Sequence, residues 1–198
     1  MKHLPAIYID DKPGQLDLEK ALVSVSEQRR DHALRYRREH DRRLSLSAYC
    51  LLQQALRQEY GIGGQPLFTF NKYGKPMLAD HPDIHFSLSH CREAAACVVS
   101  SAPVGIDVES LSSYDAELVE RVMNTEEQQL ISRSPNPRLA FIRLWTMKES
   151  LLKLTGEGLG TDLRSVLDHY CGLPAGQCRF YSTVHPEYVC TTCYLEKG

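Results

Sequence analysis

The chain has 198 residues, room for one or two compact units with a real core. A formal net charge of −2 gives no global pull toward nucleic acid, and no apolar run reaches the roughly 18 residues that would suggest a membrane span. Seven cysteines without dense, regular spacing argue against a disulfide scaffold and for reduced, buried thiols. Met1-Lys2-His3-Leu4-Pro5 lacks an apolar signal core, so the expected location is cytoplasmic.

In chain order, residues 4–9 (Leu-Pro-Ala-Ile-Tyr-Ile) predict an opening strand. Residues 26–60 predict helix in two pieces, broken near Glu39-His40-Asp41; Leu44, Ala48, Leu51, Leu52, Ala55 and Leu56 form an apolar stripe in the second. The stretch 29–43 holds seven arginines and three acids. Most of these arginines read as a solvated face with internal ion pairs. A nucleic-acid patch is disfavoured by the acidic balance of the chain and by Tyr36 being the one aromatic in the run. A third reading is a dock for a small polyanion, since guanidinium matches phosphate geometry. Strands are expected near 67–70, 84–89 and 94–100, and Pro103 marks a handover between a half at 1–102 and a half at 103–198. The second half repeats the order of elements without repeating sequence: strand 104–109, helices near 115–132 and 137–155, strands near 178–184 and 188–195. Thr125 is the expected cap of a helix start at Asn124-Thr125-Glu126-Glu127, and Gly156 the expected stop of the 137–155 helix.

Four segments carry chemistry. Gly105-Ile106-Asp107-Val108-Glu109 sets two carboxylates at i and i+2, on one face of a strand. Trp145-Thr146-Met147-Lys148-Glu149-Ser150-Leu151-Leu152-Lys153 sets Glu149 and Lys153 at i and i+4, side by side on a helix, with Trp145 expected to pack that helix on the core. Upstream, Phe70-Asn71-Lys72-Tyr73-Gly74-Lys75-Pro76 is turn chemistry that holds Lys75 on a rigid loop. Ile84-His85-Phe86-Ser87-Leu88-Ser89-His90 alternates as a strand delivering Ser89 and His90 at its end. Singly, each segment has a bland reading as a solvated edge, a surface ion pair, a turn or a structural histidine. Together, three carboxylates and two lysines point to a hard cation and a phosphate-bearing substrate. Cys190-Thr191-Thr192-Cys193 has metal-like spacing, with Cys171, Cys178 or His185 as further ligands, but a terminal strand explains it more simply.

The ordered set Gly74-Lys75-Pro76, Phe86-Ser87-Leu88-Ser89-His90, Val104 to Glu109, and Trp145-x-x-Lys148-Glu149-x-x-x-Lys153 resembles the 4′-phosphopantetheinyl transferases of the surfactin-synthetase-activating type, from about residue 25 to about residue 160. The resemblance implies an α+β fold of two similar halves related by a pseudo-twofold, with the active site in the cleft between them. It implies transfer of 4′-phosphopantetheine from coenzyme A to a serine of an apo acyl or peptidyl carrier protein, with release of 3′,5′-ADP. It further implies a monomer with no nucleic-acid or membrane partner. Magnesium falls on Asp107, Glu109 and Glu149. Glu149 takes the serine proton, directly or through a water, and Lys153 holds the phosphate and the developing charge. Lys148, His90, Ser89, Lys75 and Arg43 (Arg42 in the neighbouring register) are assigned to coenzyme A. A magnesium-dependent phosphohydrolase and a non-catalytic binding module are the rival classes; neither accounts for all four segments in order.

Overall fold

The computed structural model describes residues 4–156, 162–170 and 178–195. The chain opens with β1 (Ala6–Asp10), α1 (Leu18–Ser24), α2 (Glu27–Leu34) and the long α3 (Glu39–Tyr60). A small hairpin follows, β2 (Phe68–Phe70) and β3 (Pro76–Leu78), then β4 (His85–His90) and β5 (Ala95–Ser100). Strands β1, β5 and β4 form an antiparallel sheet in that order. The helix α3 covers it by placing Leu52, Ala55 and Leu56 against Phe86, Cys97 and Val99.

The second sheet has the same plan. β6 (Val104–Ser110) leads to α4 (Ala116–Val122), α5 (Thr125–Arg133) and the long α6 (Pro137–Thr155). After α7 (Val166–Tyr170) come β7 (Cys178–Val184) and β8 (Tyr188–Leu195), and the sheet order is β6-β8-β7, again antiparallel. In both sheets the first strand is followed by helices and then by a hairpin whose last strand takes the centre. The sheets meet through a shared apolar cluster: Ala96 and Val98 of β5 against Val104, Ile106 and Val108 of β6 and Cys190 of β8. The architecture is thus mixed α+β, as expected. No helix among the described residues is long and apolar enough to cross a membrane.

Several local expectations shift. The helix break falls at residues 35–38, and Glu39 and Asp41 open α3 instead of interrupting it. Carboxylates in a first turn face the positive end of the helix, which explains the placement. Asn124, not Thr125, caps α5: its side chain accepts from the Glu127 amide while Glu127 reaches back to the Asn124 amide. That cap divides the expected 115–132 helix into α4 and α5. Pro76 takes the chain out of the Gly74 turn and begins β3, an edge position where its missing amide costs nothing. Gly156 ends α6 in the left-handed region at φ 70°. Cys190 and Cys193 lie within β8, with Cys193 Sγ 3.1 Å from Cys178 Sγ, and all described cysteines are free. The expected ligand Cys171 lies outside the described residues.

One contact fixes the spacing that matters for the site. A Cβ on Gly105 would lie 1.9 Å from the Ser150 carbonyl oxygen and 2.5 Å from the Leu154 amide nitrogen. The backbone of β6 therefore rests directly on the backbone of α6, and only glycine permits it. Gly105→Ala is expected to destabilise the fold by about 3 kcal/mol or more, among the largest single-site effects. A denaturant titration read by circular dichroism measures it.

Candidate active site

The residues singled out by sequence converge where β4, β6 and α6 meet. Asp107 is 5% exposed, and its Oδ1 accepts from Lys153 Nζ at 2.6 Å and from Ser89 Oγ at 2.8 Å. Lys153 Nζ also donates to Ser89 Oγ at 2.8 Å, and the Val108 amide donates to that same oxygen at 3.3 Å. The Ser89 hydroxyl thus spends its one hydrogen and both lone pairs inside the protein. It bridges the two sheets at the wall of the larger cavity described below, and its hydroxyl is committed to protein partners in this arrangement.

Glu109, two residues along β6, accepts from Ser113 Oγ at 2.6 Å and from the Ser110 amide at 3.0 Å. No described side chain hydrogen-bonds to the Glu149 carboxylate. Burial, followed by repulsion from Asp107, raises the pKa of Glu149, and Lys153 opposes the shift. Burial likewise raises Glu109, with Asp107 adding to the shift. The three carboxylates therefore sense one another's charge, and one ammonium is too little to neutralise them.

No three His, Cys, Asp or Glu side chains among the described residues are grouped as ready metal ligands. The expected Asp107, Glu109 and Glu149 cage is not preformed, because Lys153 holds one Asp107 oxygen and the Ser113 hydroxyl and Ser110 amide hold one of Glu109. Yet Asp107 Oδ2 is buried with no partner. An orphaned carboxylate oxygen beside two charge-strained carboxylates fits a divalent cation whose remaining ligands arrive with a phosphorylated substrate.

Two adjoining cavities run away from this cluster. One, of about 270 Å³, is walled by Tyr73, Gly74 and Lys75 on one side and by Glu149, Lys153 and Gly156 on the other. The second, of about 480 Å³, is lined by Arg29, His32, Tyr36, Tyr49 and His90. They share Gly74, Pro76, Phe86, Leu88 and Lys153 and so form one groove along β4. Burial lowers the pKa of His90, with Lys153 and Arg29 adding repulsion, and burial and Arg29 lower that of His32. Arg29 lies over the Tyr49 ring, donates to Ser45 Oγ at 2.6 Å, and leaves its Nε buried without an acceptor. One fixed guanidinium with a spare donor, beside two imidazoles that can donate hydrogen bonds, suits an anion.

Other expected residues are placed elsewhere. Lys148 is fully buried, and its ammonium donates to Glu127 Oε2 at 2.6 Å and to the Val122 and Leu163 carbonyls. Lying one residue from Glu149 on a helix, it points about 100° away and ties α6 to the α4–α5 junction. Arg43 pairs with Glu39 at 2.7 Å and donates to the Leu16 carbonyl, and Arg42 donates to the Tyr36 carbonyl at 2.8 Å. Neither lines the groove. The arginine in the groove is Arg29, which the sequence reading left among the solvated ones. Its i, i+3 spacing with His32 on α2 is the available signal; Tyr36 lies beyond the end of that helix. Lys75 does border the groove, with its ammonium on the Leu154 carbonyl at 3.0 Å and its pKa lowered by burial to about 8. Trp145 stacks on Phe141 within the core, as expected.

With this geometry in hand, comparison with known proteins is decisive. Residues 103–193 match the model of the 4′-phosphopantetheinyl transferase superfamily. The chain is 34% identical over 160 residues to the 4′-phosphopantetheinyl transferase psf-1 of Bacillus pumilus, covering 79% of this chain and 69% of that protein. It is 30% identical over 162 residues to Sfp of Bacillus subtilis, covering 80% and 72%. It is 34% identical over 166 residues to HetI of a Nostoc species, covering 79% and 69%. The chain belongs to the 4′-phosphopantetheinyl transferases, enzymes that move 4′-phosphopantetheine from coenzyme A to a carrier protein.

The raised pKa of Glu149 has a consequence for stability. Between the ordinary glutamate range near 4.5 and its raised native value, the native state binds more protons than the unfolded state. Stability is therefore lost as pH rises through that window. Glu149→Gln should gain stability over the parent with rising pH across the window and hold a constant gain above it. Thermal melts of both proteins at stepped pH, without divalent ions, measure the difference.

Proposed function

We propose that the halves 1–102 and 103–198 form one cleft that binds coenzyme A and magnesium, and that this cytoplasmic monomer modifies a serine of an apo acyl or peptidyl carrier protein. The observation that carries the reading is a continuous groove with Arg29, His32 and His90 at one end and Glu149 at the other, where Asp107 is held behind it on Lys153. Lys153 stands at the junction. Such polarity matches a ligand with a terminal phosphate at one end and a pyrophosphate awaiting a cation at the other.

In this reading the 3′-phosphate of coenzyme A seats against Arg29 and His90, with Lys75 on the loop wall. The pyrophosphate lies beside Lys153. Asp107, Glu109 and Glu149 would hold magnesium, which supplies charge neutralisation at the phosphoryl centre. Glu149, its pKa raised by burial and by its neighbours, accepts the serine proton as the serine oxygen bonds to the β-phosphorus. The bond from that phosphorus to the bridging oxygen breaks, and 3′,5′-ADP leaves with the charge that Lys153 stabilises. Positioning and electrostatics supply the catalysis, as in other phosphoryl-type transfers.

Intact-mass measurement of an apo-carrier protein incubated with the enzyme, coenzyme A and magnesium should show the gain of one phosphopantetheine. Asp107→Ala or excess chelator should reduce that gain to background. Coenzyme A consumed at an equal rate without carrier would instead make the protein a phosphohydrolase. A second expectation separates the arginines. Arg29→Ala should cost about 1.5–3 kcal/mol of coenzyme A binding, roughly ten- to hundredfold in KM, by losing a charge-assisted contact. Arg43→Ala should change KM less than threefold. Steady-state kinetics against coenzyme A decides, and equal effects would return Arg43 to the binding site.

A further inference from the structure

The loop between β2 and β3 is fastened to the end of α6, the helix that carries Glu149 and Lys153. Asn71 Nδ2 donates to the Gly156 carbonyl at 3.0 Å. The same side chain's Oδ1 accepts from the amides of Tyr73 and Lys75, each at 2.9 Å. Lys75 Nζ donates to the Leu154 carbonyl at 3.0 Å. A cationic donor on the last carbonyls of a helix is favoured by the helix dipole. Gly156 is fitted to this contact as well as to its left-handed φ. A Cβ there would lie 2.8 Å from Lys75 Cδ and 2.9 Å from Asn71 Nδ2.

The fastened parts are the two walls of the smaller cavity. Tyr73, Gly74 and Lys75 form the loop wall, and Glu149, Lys153 and Gly156 form the helix wall. The loop comes from the first half of the chain and the helix from the second. We propose that Asn71 is a positioning residue: by clasping the loop to the Gly156 carbonyl, it sets the distance between the wall that seats coenzyme A and the helix that carries Glu149 and Lys153. The inference rests on the transferase reading above. Asn71 touches neither Glu149 nor Lys153, and its effect passes through Gly156, one turn beyond Lys153. Misplacing reacting groups by about 1 Å costs on the order of a hundredfold in rate, so the clasp acts on kcat.

Asn71→Asp, Asn71→Ala and Gly156→Ala test this, assayed at saturating coenzyme A and carrier. Aspartate keeps an oxygen that accepts from both loop amides but cannot donate to the Gly156 carbonyl. Asn71→Asp should therefore lower kcat about as much as Asn71→Ala, tenfold or more. Both variants should stay folded at the assay temperature by circular dichroism, and the pH at which kcat reaches half its maximum should not move. The Asn71→Ala, Gly156→Ala double variant should lose less than the product of the two single losses, because the Gly156→Ala methyl displaces the Asn71 amide in addition to straining its own φ. Wild-type kcat in Asn71→Asp would mean that only loop shape matters and overturn the proposal. Multiplying effects in the double variant, or a shifted pH profile, would overturn it as well. If the parent enzyme transfers no phosphopantetheine, the transferase reading fails; if it does and the Asn71 variants match it, the clasp alone fails.

Discussion

The ion pair between Lys153 and Asp107, with Ser89 hydrogen-bonded to both, is the joint on which the rest depends. Its three members come from α6, β6 and β4, so the pair exists only when the two sheets have docked and the helix lies in register. A buried carboxylate without such a partner is expensive, and a buried ion pair is worth little beyond cancelling that cost. The joint therefore contributes specificity of arrangement more than stability. It permits one docking of β6 on α6 and one alignment of β4 beside β6.

Packing enforces what the ion pair selects. Gly105 presses β6 against the α6 backbone two residues before Asp107, which removes the freedom of a side-chain layer between strand and helix. The alanine- and valine-lined cluster between β5, β6 and β8 keeps the sheets close. At the far end of α6, Gly156 receives the loop that carries Asn71 and Lys75. Two glycines thus serve the helical segment that presents Glu149 and Lys153, Gly105 against Ser150 and Leu154 and Gly156 at its end, each removing a Cβ where another part of the chain must approach. The acting groups sit on a segment held from both sides, while the groove beside it stays open.

Charge along the groove is in excess and only partly relieved. Burial and Asp107 push Glu109 and Glu149 toward their protonated forms, and burial and Arg29 push His32 and His90 toward neutrality. Such excess costs stability in the free enzyme and is offset only when a ligand of opposite sign arrives. In the proposed reading, coenzyme A and a divalent cation are the ligands that relieve it.

Much of this was legible from residues alone. The i, i+2 carboxylates and the i, i+4 pair of Glu149 and Lys153 rest on the periods of strand and helix, which are local properties. The bounds of α6, β7 and β8 were legible for the same reason: a glycine after an apolar-periodic run offers the left-handed residue that closes a helix, and β-branched and aromatic runs favour strands. Local order could not say which neighbour fills a side chain's bonding capacity. Lys148 stands beside Glu149 in the motif, yet helical rotation buries it on Glu127. Ser89 stands beside His90, yet its hydroxyl is consumed by Asp107, Lys153 and Val108. Arg29 looks like its neighbours in a run of arginines until α2 folds over Tyr49 and turns it into the groove. Sequence determined the chemical types and their spacing along each element, because those depend on backbone geometry. The tertiary structure decided which of those groups are spent on the protein itself and which remain for a ligand, because that depends on partners far apart in the chain.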